Sequence, residues 1–154
     1  MVDERAVSLL SKEDQAILGE LDEGNISSKV QRHATHPCNL GHMKNPDGQA
    51  ALTGICEDTV LIQLHIKDAF IDDICFQTTG CGFTLACGSV ATEMVRGKKL
   101  SYALGITAKK IDRALEGLPK EHTHCADLTA NTVKAAAKNA LDNIKEPWKR
   151  MYYS

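Results

Sequence analysis

The sequence predicts an α+β domain in which helices pack on one face of an antiparallel sheet. Two observations carry this. Between Thr59 and Thr78 apolar and polar residues alternate, which is the period of strands with one buried side. From Phe83 to Lys145 the apolar spacing lengthens to that of helices. Strands first and helices afterwards are the order of an α+β domain, and there is no internal repeat or low-complexity segment.

Taken in order, residues 1–35 read as a helical extension. Ser11-Lys12-Glu13-Asp14 resembles a helix start, and Ile17, Leu18 and Leu21 form a narrow apolar stripe ending at Gly24-Asn25. The stretch 36–53 holds Pro37, Gly41, Pro46 and Gly48 and reads mainly as loop, with a strand over 50–53. Thr59 to Lys67 sets Val60, Ile62, Leu64 and Ile66 on one side and Gln63, His65 and Lys67 on the other. Asp68-Ala69 is a turn, and Phe70 to Thr78 is the return strand of the hairpin.

Leu85, Ala86, Val90, Met94 and Val95 fit a helix over 83–96, ended by Gly97. Thr107 caps a helix running to Leu115 or Glu116 and stopped by Gly117 and Pro119. A long helix over 126–145 carries Val133, Ala136, Ala137, Ala140, Leu141 and Ile144 as its stripe, and Pro147 breaks it. The expected organisation is thus an extension (1–35), one domain (36–146) and an aromatic tail (147–154) containing Trp148, Tyr152 and Tyr153. The tail either packs back on the domain or docks a partner.

With 154 residues, 43% hydrophobic and 25% charged, the chain can bury a core of its own. A net charge of −2 without a basic block gives no reason to expect nucleic-acid binding. No apolar run reaches the roughly 18 residues of a membrane span. The acidic opening Met1-Val2-Asp3-Glu4-Arg5 lacks the apolar stretch of a secretion signal, so the expected location is cytoplasmic. In that reducing setting six cysteines point to metal or catalysis rather than to three disulfides.

Three of those cysteines have informative neighbours. Cys56 precedes Glu57 and Asp58, with Asp58 on the same face of an extended segment. Cys81 sits in Thr79-Gly80-Cys81-Gly82 at a predicted helix start. Cys125 follows His124 and opens the long helix. Unpaired amides and the dipole at a helix N-terminus favour a thiolate, the form that binds metal or accepts sulfur. Thiolates, one imidazole and one carboxylate suit iron–sulfur or zinc chemistry, with two harder ligands that can let go. The gaps of 24 and 43 residues are unlike a zinc ribbon, and the competing reading is three buried structural cysteines.

These motifs together resemble the U-type iron–sulfur cluster assembly scaffold family, the IscU proteins and the N-terminal domain of NifU. The resemblance runs from Pro37-Cys38-Asn39-Leu40-Gly41 to about Ile144. It implies a three-stranded antiparallel sheet with helices, and Cys56, Cys81 and Cys125 as scaffold cysteines beside Asp58 and His124. It also implies a [2Fe–2S] cluster built from iron and sulfur, and zinc in the isolated protein. The implied partners are a cysteine desulfurase, which delivers the sulfur as persulfide, and apo iron–sulfur proteins that receive the cluster. Self-association into a homodimer is left open by the sequence.

The chain also departs from that family. Glu57 stands where glycine is usual. Lys120-Glu121-His122-Thr123 replaces most of a stretch read by a dedicated chaperone, which puts that partner in doubt, and His122 takes a lysine's place. Cys87, six residues after Cys81, is either a small core residue or an auxiliary thiol acting with Cys81. Two rival functions follow: a closed structural zinc domain, and a thiol-redox or sulfur-transfer protein using Cys81 with Cys87. Cys75 is expected in the core, Cys38 as an incidental loop thiol, and His33, His36, His42 and His65 as surface residues.

Overall fold

The computed structural model describes residues 26–145. Three strands, β1 (Gly48–Thr53), β2 (Thr59–Lys67) and β3 (Phe70–Thr78), form an antiparallel sheet in the order β1-β2-β3. Among the described residues five α-helices accompany it: α1 (Ser28–Thr35), α2 (Gly82–Val95), α3 (Leu100–Leu104), α4 (Ala108–Ala114) and α5 (Thr123–Lys145). A 3-10 turn over Lys120–His122 leads into α5.

The alternation in β2 and β3 sorts the sheet into two faces. Val60, Ile62, Leu64, Ile71, Ile74 and Phe76 are all at most 1% exposed and form the floor under α2 and α5. Each such side chain removed from water contributes about 1.5–3 kcal/mol, so this row dominates the sheet's stability. The turn Asp68-Ala69 takes positive φ at both residues (53° and 68°), the mirror-image geometry that matches hairpin twist.

Small residues let α2 and α5 come close. Ala136, Ala137 and Ala140 are fully buried on the inner side of α5. Gly88 of α2 rests on Phe76, where an added Cβ would meet the ring at 2.4 Å. The outer face is crossed by the loop before β1. Gly41 N–H donates to Phe76 O, Met43 N–H to Gln63 Oε1, and Asp47 N–H to Leu64 O.

The hairpin strands have the bounds expected from the alternation, while the first strand begins two residues earlier than expected. The expected extension ends sooner than residue 35. Ser28–Thr35 is a helix of the domain itself, with Val30 unexposed and Ala34 at 4%. Ser27 caps it by accepting from Val30 N–H at 3.1 Å, and its hydroxyl also donates to Leu115 O. Only two core residues, one turn apart, mark this helix, which is too little for a periodic signal. The single-turn-and-a-half α3 escaped for the same reason. The apolar stripe at Ile17–Leu21 and the aromatic tail lie outside the described residues.

Candidate metal centre

Three elements bring cysteines to one end of the sheet. The β1–β2 tip carries Cys56, closed by Gly54 N–H to Asp58 O (2.9 Å) and Glu57 N–H to Gly54 O (3.0 Å). Cys56 is exposed there. Cys81 is the N-cap of α2, reached directly from the end of β3. Cys125, 1% exposed, lies in the first turn of α5, which starts at Thr123 after the 3-10 turn. Gly80 is required by close approach, because a Cβ would stand 2.7 Å from Thr84 Cβ.

The side chains form one continuous set. His124 Nε2 lies 3.1 Å from Cys56 Sγ and 3.7 Å from Cys125 Sγ. Thr84 Oγ1 donates to Cys125 Sγ at 3.4 Å and stands 3.8 Å from Cys81 Sγ. Donor atoms of Cys81, Cys125 and His122 all fall within 4.8 Å of one another. Asp58 is half-buried at the tip, and Asp58, Cys56 and His124 all lie outside that tight group, with Cys56 joined to it only through His124.

Cys81 and Cys125 share one proton. The Cys125 thiol donates to the Cys81 sulfur, and the first-turn amides of Thr84 and Phe83 add to this, holding the Cys81 pKa down to about 5 against the opposing effect of burial. The same bond, together with burial, pushes the Cys125 pKa up. At neutral pH the pair is therefore a thiolate beside a thiol, and one position is ready to bind a cation.

His122 is the residue that sequence reasoning placed near the site without assigning it as a donor. Its ring stacks on Phe83 with centroids 3.8 Å apart and planes 15° from parallel. Its Nδ1 is the buried side-chain nitrogen without a hydrogen-bond partner among the described residues. A buried unpaired imidazole nitrogen costs about 1–3 kcal/mol. The His-x-His-Cys run at 122–125 was the signal available for it.

The remaining thiols stand apart. Cys87 is unexposed, and burial raises its pKa far above the ordinary thiol range, which favours the core reading over a relay. Cys75 is half-buried on the outer sheet face, its thiol directed to Gln63 Oε1 at 3.7 Å, rather than in the core. His33 is 5% exposed, not a surface residue.

A family profile described as the NifU-like N terminal domain matches residues 25–146. The chain belongs to this family. It is 40% identical over 127 residues to "Iron-sulfur cluster assembly scaffold protein IscU 1" of Archaeoglobus fulgidus, covering 78% of this chain and 83% of that protein. It is 36% identical over 118 residues to "Iron-sulfur cluster assembly scaffold protein IscU" of Aquifex aeolicus, covering 75% of each. The N-terminal domain of a NifU-like protein from Brucella abortus shares its fold, with a TM-score of 0.59 and 18% identity over 75% of this chain and 93% of that one.

Membership of the NifU-like family gives the departure at Glu57 a physical meaning. Glu57 has φ 64°, in the left-handed region where glycine carries no steric cost. The glycine expected there from the resemblance is the residue this backbone prefers, and this chain makes the turn with a side chain and a charge added. No helix among the described residues is long and apolar enough to cross a membrane.

The donor set fits a thiophilic metal. In a tetrahedral centre with bonds of about 2.0–2.3 Å, ligand atoms sit roughly 3.3–3.8 Å apart. The contacts around His124 and Cys125 span 3.1–3.7 Å, and one ring nitrogen of His122 lies in the group that a cation would draw together.

Proposed function

We propose that the chain is a scaffold on which iron and desulfurase-derived sulfur are assembled into a [2Fe–2S] cluster that is then passed to apo-proteins. One observation supports this reading: Cys81 and Cys125 share a tight donor group with His122, Cys56 is linked to it through His124, and Cys81 is held as thiolate at a helix start. The names of its relatives support the same role. Cys56, Cys81 and Cys125 supply the sulfurs, His124, which lies between Cys56 and Cys125, is the fourth ligand, and His122, grouped with Cys81 and Cys125, is the competing imidazole.

Delivery and release follow from exposure. Cys56 is exposed and Cys81 half-exposed, so a persulfide donor reaches these two before the buried Cys125. In transfer, a thiolate attacks the outer sulfur of the donor persulfide, a new S–S bond forms, and the donor thiolate leaves. Asp58, at the same tip as Cys56, is a hard and weak partner for the cluster and keeps it releasable. A cluster that moves as fast from Asp58→Ala as from the unchanged chain would remove that role.

Anaerobic reconstitution with iron, cysteine, a desulfurase and a thiol reductant, which converts the persulfide sulfur to sulfide, tests the whole reading. The expected product absorbs in the visible and contains equal iron and acid-labile sulfide, both lost on handing the cluster to an apo-ferredoxin. Protein that takes up zinc irreversibly and never acquires labile sulfide would be the structural zinc domain instead. Cysteine and histidine donors at these distances also suit zinc, so zinc in the isolated protein is expected to be displaced during loading.

A further inference from the structure

A second set of metal donors lies away from the cysteines of the first centre, where α1 and the loop after it pack on α2. His33 of α1, Cys38 of the loop and Glu93 of α2 offer an imidazole nitrogen, a thiol and a carboxylate oxygen within 4.8 Å of one another. The Cys38 thiol donates to Glu93 Oε2 at 3.3 Å, and His33 Nε2 lies 3.9 Å from that same oxygen. A zinc-type centre has ligand separations of roughly 3.3–3.8 Å. Two of the three separations are thus at or near the bound value, and the third has about 1 Å at most to close.

The surroundings hold these donors in place. Ser89 is fully buried, and its Oγ stands 2.7 Å from His33 Nδ1 while accepting the Cys38 N–H at 2.7 Å. One buried hydroxyl therefore positions two of the three donors. With Nδ1–H donating to Ser89, Nε2 keeps its lone pair on the side of Glu93, the arrangement found in metal-ligating histidines. The loop is fixed again one residue on, where Asn39 donates to Thr92 Oγ1 (3.1 Å) and accepts from Arg96 (3.2 Å). Ser89, Thr92, Glu93 and Arg96 share one face of α2 and its end by their spacing. Burial lowers the His33 pKa, against the pull of Glu93, which favours the neutral ligand form.

We propose that His33, Cys38 and Glu93 form a second site, independent of the cluster centre, for a zinc-type divalent transition metal. The ion binds to Cys38 thiolate, His33 Nε2 and a Glu93 oxygen, with water in the remaining position. Uptake releases the Cys38 thiol proton to solvent and involves no change of oxidation state. The Glu93 side chain is 52% exposed, so the ion enters from the surface, and once bound it ties α1 and its loop to α2.

Cobalt(II) is the probe, because thiolate ligation gives an intense near-ultraviolet charge-transfer band. After chelator treatment without oxygen, the intact chain is expected to take up one more ion than Cys38→Ser. Glu93→Gln, at an exposed position, is expected to weaken that uptake at least tenfold. In Cys56→Ser/Cys81→Ser/Cys125→Ser, checked for folding by circular dichroism, one ion with a charge-transfer band remains. Equal uptake by the intact chain and Cys38→Ser overturns the proposal, as does a folded triple variant that binds none. The cluster reading fails separately, through absent labile sulfide in the intact chain, and Cys38→Ser should leave iron and sulfide loading unchanged.

Discussion

The two halves of the proposed cluster centre are built differently. Cys81 and Cys125 sit at the starts of helices whose inner faces are closed core, and the Cys125 thiol stabilises the Cys81 thiolate. Cys56 and Asp58 sit on a short hairpin tip closed by two backbone hydrogen bonds, with a left-handed residue between them and Ile55 86% exposed beside them. One half is held by packing, the other by a turn and the contact of Cys56 with His124. A centre that must capture a cluster firmly and then surrender it gains from that inequality, since the half that lets go is not the half the core supports.

The strongest test of this division substitutes one cysteine on each side. Cys81→Ala removes the thiolate that the helix start stabilises, and it should abolish retention of iron and labile sulfide after desalting. Cys56→Ala should still load, with a cluster lost several-fold faster to a chelator. Comparable loss from both variants would erase the distinction between the halves. Global stability should change little in Cys56→Ala, because an exposed side chain contributes within about 0.5 kcal/mol.

The supporting core can be disturbed without touching a donor. Gly88→Ala drives a methyl into the ring of Phe76, and an overpacked helix–sheet contact costs about 1–3 kcal/mol in denaturant unfolding. If the helix-held half depends on this contact, the variant loads less cluster at equal protein even though every ligand remains. Unaltered stability would mean that α2 can shift on the sheet, and the firm half would then be less firm than its burial suggests.

Proton chemistry separates the thiols on a single helix. Cys81 has a depressed pKa, so its reactive thiolate is present at neutral pH and is lost only as pH falls through about 5. Cys87, six residues on, has a raised pKa and stays protonated. Iodoacetamide at pH 7 is therefore expected to label Cys81 well before Cys87 in the metal-free folded protein, with mass spectrometry of peptides as the readout. Labelling of Cys87 at a similar rate would revive a paired role for the two thiols.

How much of this was legible in the sequence depends on how local each signal was. The β2–β3 hairpin was readable because alternation runs through most of β2 and resumes in β3 after the Asp72-Asp73 pair, where the register shifts, and because its turn is two residues long. The convergence of Cys56, Cys81 and Cys125 could be suggested by motif but not located, since it depends on how α2 and α5 lie against the sheet. His33 illustrates the limit. It follows Gln31 and Arg32 in a short helix with little apolar signal, and only the packing of α1 on α2 puts it against Ser89. His122 was nearer to legible, because His-x-His-Cys at a helix start places donors within a turn of each other, yet its unpaired nitrogen becomes visible only once Phe83 covers its ring.

The smallest expected effect is at the tip itself. Glu57→Gly relieves a left-handed backbone that disfavours any side chain, while it frees the unfolded chain, and the two contributions oppose each other. The net change in unfolding free energy should lie within about 1 kcal/mol. Cluster transfer is the more sensitive readout, because the substitution also removes a negative charge next to Cys56. Faster capture of iron by the unchanged chain than by Glu57→Gly would assign that charge to iron delivery at the exposed half. Identical rates with altered stability would leave Glu57 as a purely conformational departure, and the tip would then be defined by its turn alone.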